Sequence, residues 1–326
     1  MTIARLPKQH GGYTATLMSD NPAAVVPQAQ PQDTRAGFFF ALSAYLLWGF
    51  LPMFMKAVAH IPVIEVLAHR VIWSVPIAGA VLVWLGRTAD LKKALRTPSM
   101  VAMAMVTAAL ISVNWGIYVW AIGAGRALET ALGYYINPLF SIFLAALFLG
   151  ERPSRLQLAA IALACVAVGV VTWEAGGLPV VSLALAVSWG FYALARRALP
   201  IGPNQGFFLE ILILSPFALA AALWFGASGG GHFFAGNLAD TALLLACGVV
   251  TAVPLMLYAN GAKGLRLSTI GIMQYIAPTM IFLTAVFVFH EPFSTGRAIA
   301  FALIWTALAL YTAPTLIAHR RRGVQA

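Results

Sequence analysis

Ten long apolar runs, separated by short breaks bearing charges, glycine or proline, make up almost the whole chain. They cover residues 36–56, 63–85, 100–122, 127–149, 154–174, 178–198, 206–226, 238–261, 267–289 and 296–317. Each has about the 20 residues that a helix needs to cross roughly 30 Å of hydrocarbon. The pattern therefore predicts an all-α integral membrane protein of ten spans. Residues 1–35 break it, being rich in Pro, Gln, Ala and Gly with no apolar run, and read as a disordered cytoplasmic N-terminal tail. Residues 318–326 read as a short basic cytoplasmic C-terminal tail.

Composition agrees. With 61% hydrophobic and 9% charged residues, the chain lacks the polar surface that a soluble domain needs. The net charge of +10 would suggest a nucleic-acid partner in a soluble protein, but its placement supplies another reason. With the N-terminus inside, sixteen of the twenty basic residues fall in cytoplasmic segments, among them Arg87, Lys92, Lys93, Arg96, Arg152, Arg155, Arg196 and Arg197. Lys56, Arg126 and Arg297 fall outside, and Arg70 lies within a helix. The positive-inside rule then sets both termini in the cytoplasm. Cys165 and Cys247 sit inside apolar runs without metal-ligand spacing, so neither a metal, a disulfide nor a cofactor is implied.

The second half repeats the first. Shifting by 140 residues carries Arg126, Tyr135, Ile136, Pro138, Ala145, Glu151 and Ser154 onto Arg266, Tyr275, Ile276, Pro278, Ala285, Glu291 and Ser294. A shift of 141 relates Leu42, Trp48, Gly49, Phe50, Pro62 and Ser74 to Leu183, Trp189, Gly190, Phe191, Pro203 and Ser215. Five spans per copy is an odd number, which turns the second copy upside down relative to the first. The expected domains are residues 36–174 and 178–317, two inverted five-helix repeats. Secondary transporters are commonly built this way, with the substrate near the midplane between the halves.

Polar side chains inside the spans then become the candidates. Glu65, His69 and Trp73 share one face of the second span at i, i+4 and i+8, and Arg70 lies about 12 Å along it. An Arg at that depth costs a few kcal/mol unless it is paired or hydrated. Topology offers Glu129, at the start of the fourth span on the same side, as its partner, in a gate or as a static pair. Glu210 occupies the shift-141 position of His69 near the opposite face, where Arg196 or Arg197 can also pair with it. His69 and Glu210 are titratable groups able to carry a coupling proton.

Asn114 and Tyr118, one turn apart on the third span, are expected to face a cavity. Tyr258 matches Tyr118 at shift 140. Pro138 and Pro278 are paired helix breaks. They follow Tyr134 and Asn137 in one copy and Gln274 and Tyr275 in the other. With Trp48, these side chains outline aromatic walls bearing a few amides for an amphipathic ligand.

The runs AYLLWGFLPMFMK (44–56), AHRVIWS (68–74), NWGIYVWA (114–121) and ETALGYYINPLFSIFLAALFLGER (129–152), with residues 265–292, resemble RarD-type permeases. These belong to the EamA branch of the drug/metabolite transporter superfamily. The resemblance implies two EamA domains, an inner-membrane location, and export of a small molecule by alternating access, without enzymatic activity. A monomer is compatible, since inverted halves already supply both cavity walls. No phosphate-binding Gly-x-x-x-x-Gly-Lys-Ser/Thr loop occurs, which argues against an ATP-driven pump. Two alternatives stay open: a membrane enzyme acting on lipid or an isoprenoid carrier, and a sensor that transports nothing.

Overall fold

A computed structural model describes residues 33–323. Almost all of the expected N-terminal tail, including Arg5 and Lys8, lies outside the described residues. The helices are α1 (Arg35–Ala57), α2 (Val63–Trp84), α3 (Ala89–Leu95), α4 (Pro98–Gly123), α5 (Ala127–Leu149), α6 (Arg155–Ala175), α7 (Val180–Ala198), α8 (Pro203–Ser228), α9 (Leu238–Gly261), α10 (Leu267–Met273), α11 (Ile276–Leu283) and α12 (Thr295–Gly323). Every apolar run falls on helix, and α12 continues through Gly323, beyond the expected end at 317.

Among the described residues, nine helical segments are long and apolar enough to cross a membrane. α7, on the sixth expected run, is too polar to join them. Ser182, Ser188, Arg196 and Arg197 lower its hydropathy, and two of these bond to neighbouring helices. Ser182 Oγ donates to the Glu129 carbonyl at 2.8 Å, and Ser188 Oγ lies 2.9 Å from Asn114 Nδ2. A helix buried by protein rather than lipid can carry such groups.

Helix pairing follows an exchange between the halves. α5 and α4 pack on α7, while α11 and α9 pack on α1; α2 packs on α8, and α6 on α12. The closest approaches repeat as well. A side chain at Gly49 of α1 would collide with Met280 of α11, and one at Gly190 of α7 with Phe140 of α5. Gly49 and Gly190 are equivalent at shift 141, and Phe140 and Met280 at shift 140.

The ends of the two helices preceding the glutamates also match. Gly150 closes α5 in the left-handed region at φ 66°, and His290 takes the same conformation at φ 53°. Glu151 N then donates to Ala145 O at 3.3 Å, and Glu291 N to Ala285 O at 2.9 Å. Ser154 and Ser294 both cap the helix that follows, accepting from Gln157 N and Arg297 N at 3.3 Å.

One pair of counterparts diverges. α5 runs unbroken through Pro138, whereas its equivalent stops at Met273, turns at Gln274 and Tyr275, restarts as α11 and ends in a π-helical turn over Thr284–Val288.

Candidate functional site

Arg70 lies at the meeting of α2, α4, α5 and α9. It is 3% exposed. Its Nε donates to Thr251 Oγ1 at 3.0 Å, and its guanidinium carbon sits 4.8 Å from the Trp115 ring centroid. Tyr118, Tyr134 and Cys247 complete the surroundings. Gly248 permits this depth, because a side chain there would collide with the Trp73 backbone; α9 thus presses directly on α2 and brings Thr251 within reach. Among the described residues, Nη1 finds no acceptor, and the Tyr118 hydroxyl and Asn137 Oδ1 are likewise buried without partners. Tyr118 and Tyr134 have ring centroids 5.9 Å apart, and Asn137 lies about one turn along α5 from Tyr134.

The expected pairing of Arg70 with Glu129 does not form. Glu129 is held in a two-pronged pair by Arg126, with Nε to Oε1 at 2.7 Å and Nη2 to Oε2 at 2.9 Å. The physical reason is proximity: Arg126 precedes α5 and sits three residues from Glu129, so the pair closes locally. Arg70 faces α4 and α9 instead.

The other predicted residues divide into ties and walls. Glu65 accepts from His232 N at 2.7 Å and lies 2.9 Å from His232 Nδ1, joining α2 to the segment before α9. His69 Nδ1 accepts from Trp73 Nε1 at 2.9 Å. Glu210 lies 3.4 Å from Arg196 Nε and accepts from the Tyr192 hydroxyl at 3.2 Å, which is the paired arrangement. Asn114 was expected beside Tyr118 on a cavity face; its Nδ2 instead bridges α4 to α7 through Leu185 O at 3.1 Å and Ser188 Oγ. Gln274 Nε2 donates to Gly271 O at 3.0 Å, and Tyr275 has a buried hydroxyl without a partner.

Trp48 and Tyr258 meet at 5.5 Å, with Tyr45 5.6 and 5.8 Å from them. Thr251 and Tyr258 are two turns apart on α9, about 10.5 Å. α9 therefore links the Arg70 group to this aromatic group. Sequence reasoning missed Tyr45 and Thr251. Tyr45 precedes Trp48 by three residues, a same-face spacing that could have found it; Thr251 carried no local signal. An apolar concavity of about 540 Å³ lies elsewhere, among α4, α5 and α7, lined by Val106, Leu110, Phe148 and Phe191. It holds none of the unpartnered polar atoms.

Two ends of the bundle differ in how they close. At one, Glu291 is 8% exposed and its two oxygens accept from Ala127 N at 2.6 Å and Leu128 N at 2.8 Å, the free amides that begin α5. Burial pushes the Glu291 carboxyl up, outweighing the two amides, Arg297 and Lys56, which hold it down. At the same end, His60 Nε2 lies 2.8 Å from Asp240 Oδ1. At the other end, Glu151 touches only Arg197, at 3.6 Å, with both side chains more than half exposed. The start of α10 is met instead by Asp33, which accepts from Arg266 N and Thr269 Oγ1, each at 2.8 Å.

Residues 35–173 match the EamA-like transporter family. A Vibrio cholerae protein named as an uncharacterized transporter is 40% identical over 86% of this chain and 93% of its own length. The chain belongs to the EamA family. It is a RarD-type permease of the drug/metabolite transporter superfamily: the Escherichia coli protein RarD is 38% identical over 89% of this chain and 98% of its own. A crystal structure at 19% identity, covering 84% of this chain and 96% of that one, superposes with a TM-score of 0.56 and so shares the fold. This EamA permease is accordingly a multi-pass inner-membrane transporter.

Proposed function

We propose that this permease exports a small amphipathic molecule by alternating access between two inverted repeats, residues 36–174 and 178–317, with both termini cytoplasmic. The observation that carries the reading is the unequal closure of equivalent ends. Glu291 and Glu151 are sequence mates launched by the same backbone turn, yet one seals the start of α5 while the other leaves the start of α10 alone. A machine that opens to each side in turn requires such an alternative. The charge bias puts the Glu291 end outside, so this conformation is closed outward. Substrate moves past the Arg70 group and along the Trp48 and Tyr258 walls toward the inner side.

Efflux from proteoliposomes loaded with amino acids, nucleosides and antibiotics tests this, with and without a pH gradient. The expected result is loss of one compound class, altered in rate by Glu291→Gln. A dependence on the gradient would add a coupling proton, with His69 and Glu210 as its candidate carriers. If folded protein moves nothing, the transport reading falls, and a lipid-modifying enzyme or a sensor takes its place.

A further inference from the structure

Arg70 stays charged at any accessible pH, and a buried charge must be compensated. Its direct partners are one hydroxyl and one indole face. The acidic groups around it are the Cys247 thiol and the Tyr118 and Tyr134 phenols, whose ordinary pKa values leave them neutral at pH 7. Among the described residues, no carboxylate lies within 4.0 Å of the guanidinium, whereas the half-buried Arg196 of α7 has Glu210. Close by, the Tyr118 hydroxyl is an unused donor. The indole of Trp115 and the rings of Tyr118 and Tyr134 are flat apolar surfaces around the same point.

We infer that this site takes a small organic anion, its carboxylate received by Arg70 and the Tyr118 hydroxyl and its planar apolar body lying among Trp115, Tyr118 and Tyr134. The inference rests on the transport reading and names the substrate class of the same site. A fork of N–H donors suits a carboxylate better than a neutral amide, because the pair is charge-assisted and the desolvation of Arg70 is already spent in the free protein. An amide of the same shape offers the fork a single neutral carbonyl oxygen and turns its NH2 toward a guanidinium that can only donate.

Calorimetric titration of the full chain in nanodiscs with indole-3-acetate and its neutral isostere indole-3-acetamide decides it. The acid is expected to bind at least about tenfold tighter, the effect of one charge-assisted hydrogen bond. Arg70→Met should remove that preference, and Tyr118→Phe should weaken the acid several-fold while leaving the amide unchanged. Equal binding of acid and amide, binding of neither, or a preference that survives Arg70→Met overturns the inference. Should Arg70→Met fail to fold, the wild-type comparison and Tyr118→Phe still decide. Uptake of both compounds into proteoliposomes separates the two readings. Amide crossing without acid preference leaves transport standing and removes the anion site; acid binding without any crossing does the reverse.

Discussion

α5 and its counterpart, α10 with α11, share Arg, Tyr-Ile-x-Pro, Ala, Glu and Ser at equal spacing, yet one is a single helix of 23 residues and the other is broken before its proline. Proline removes the same hydrogen bond in both. What differs is the support. α5 packs along α7, where Gly133 lets Ser182 approach and Ser182 Oγ donates to the Glu129 carbonyl; its first amides are held by Glu291. On the broken side, Gln274 bonds within its own turn, a side chain at Gly271 would meet nothing within 4 Å, and the helix start relies on Asp33 from before α1. A local motif thus proposes a break, and the neighbours decide whether it opens.

Breaking the comparison at its strongest point means Glu291→Ala. Two buried amides lose a carboxylate, at a cost of about 2–3 kcal/mol. The exposed mate Glu151→Ala should cost under about 0.5 kcal/mol. Thermal unfolding in detergent compares them, and equal costs would show that the two ends are alike. A second contrast concerns the prolines. Pro278→Ala should fuse α10 to α11 and slow transport by roughly tenfold, about 1.4 kcal/mol, while Pro138→Ala, in a helix already continuous, should change the rate far less. Similar rates for both variants in a vesicle efflux assay would remove the hinge role of the break.

Next come the paired close approaches. Gly190→Ala pushes on the Phe140 ring, and Gly49→Ala on Met280 as far back as its Cβ, which no rotation moves aside, so each should cost about 1–2 kcal/mol. Denaturant or thermal melts showing either variant as stable as wild type would refute that account of the two contacts. His290→Gly relieves a left-handed backbone at a position where Gly150 serves the other copy, and should stabilise by about 0.5–1 kcal/mol. The smallest effect is one of pH. Since burial raises the Glu291 carboxyl above its ordinary value, the folded protein binds this proton more readily than the unfolded chain, so its contribution to stability grows as pH falls from about 7 toward 5. Wild type should gain a few tenths of a kcal/mol in stability over Glu291→Gln across that range; a flat difference would show that this carboxyl does not titrate there.

The architecture was largely legible along the chain. Apolar runs of membrane length and the spaced recurrence of Gly49, Pro138 and Glu151 in the second half are local or periodic signals; the runs survive as helices and the recurrence in their pairings. The site was legible only as a set of polar residues out of place. Arg70 stood out because charge is costly in hydrocarbon, but topology pointed to Glu129, and only packing shows Arg126 holding that carboxylate instead.

Length, hydropathy and internal repetition determined by themselves that this chain is a helical membrane protein of two related halves, because those properties are set by the solvent around the chain and by its period; the EamA family came from particular motifs and from the relatives that share them. Tertiary structure alone decided which of two equivalent glutamates closes a helix and which of two equivalent prolines marks a break. It also decided that Arg70 meets Thr251, 181 residues away, and, among the described residues, no carboxylate. Contacts between segments so far apart leave no trace in spacing, and where two segments share a motif the packed neighbours help choose between states a few kcal/mol apart.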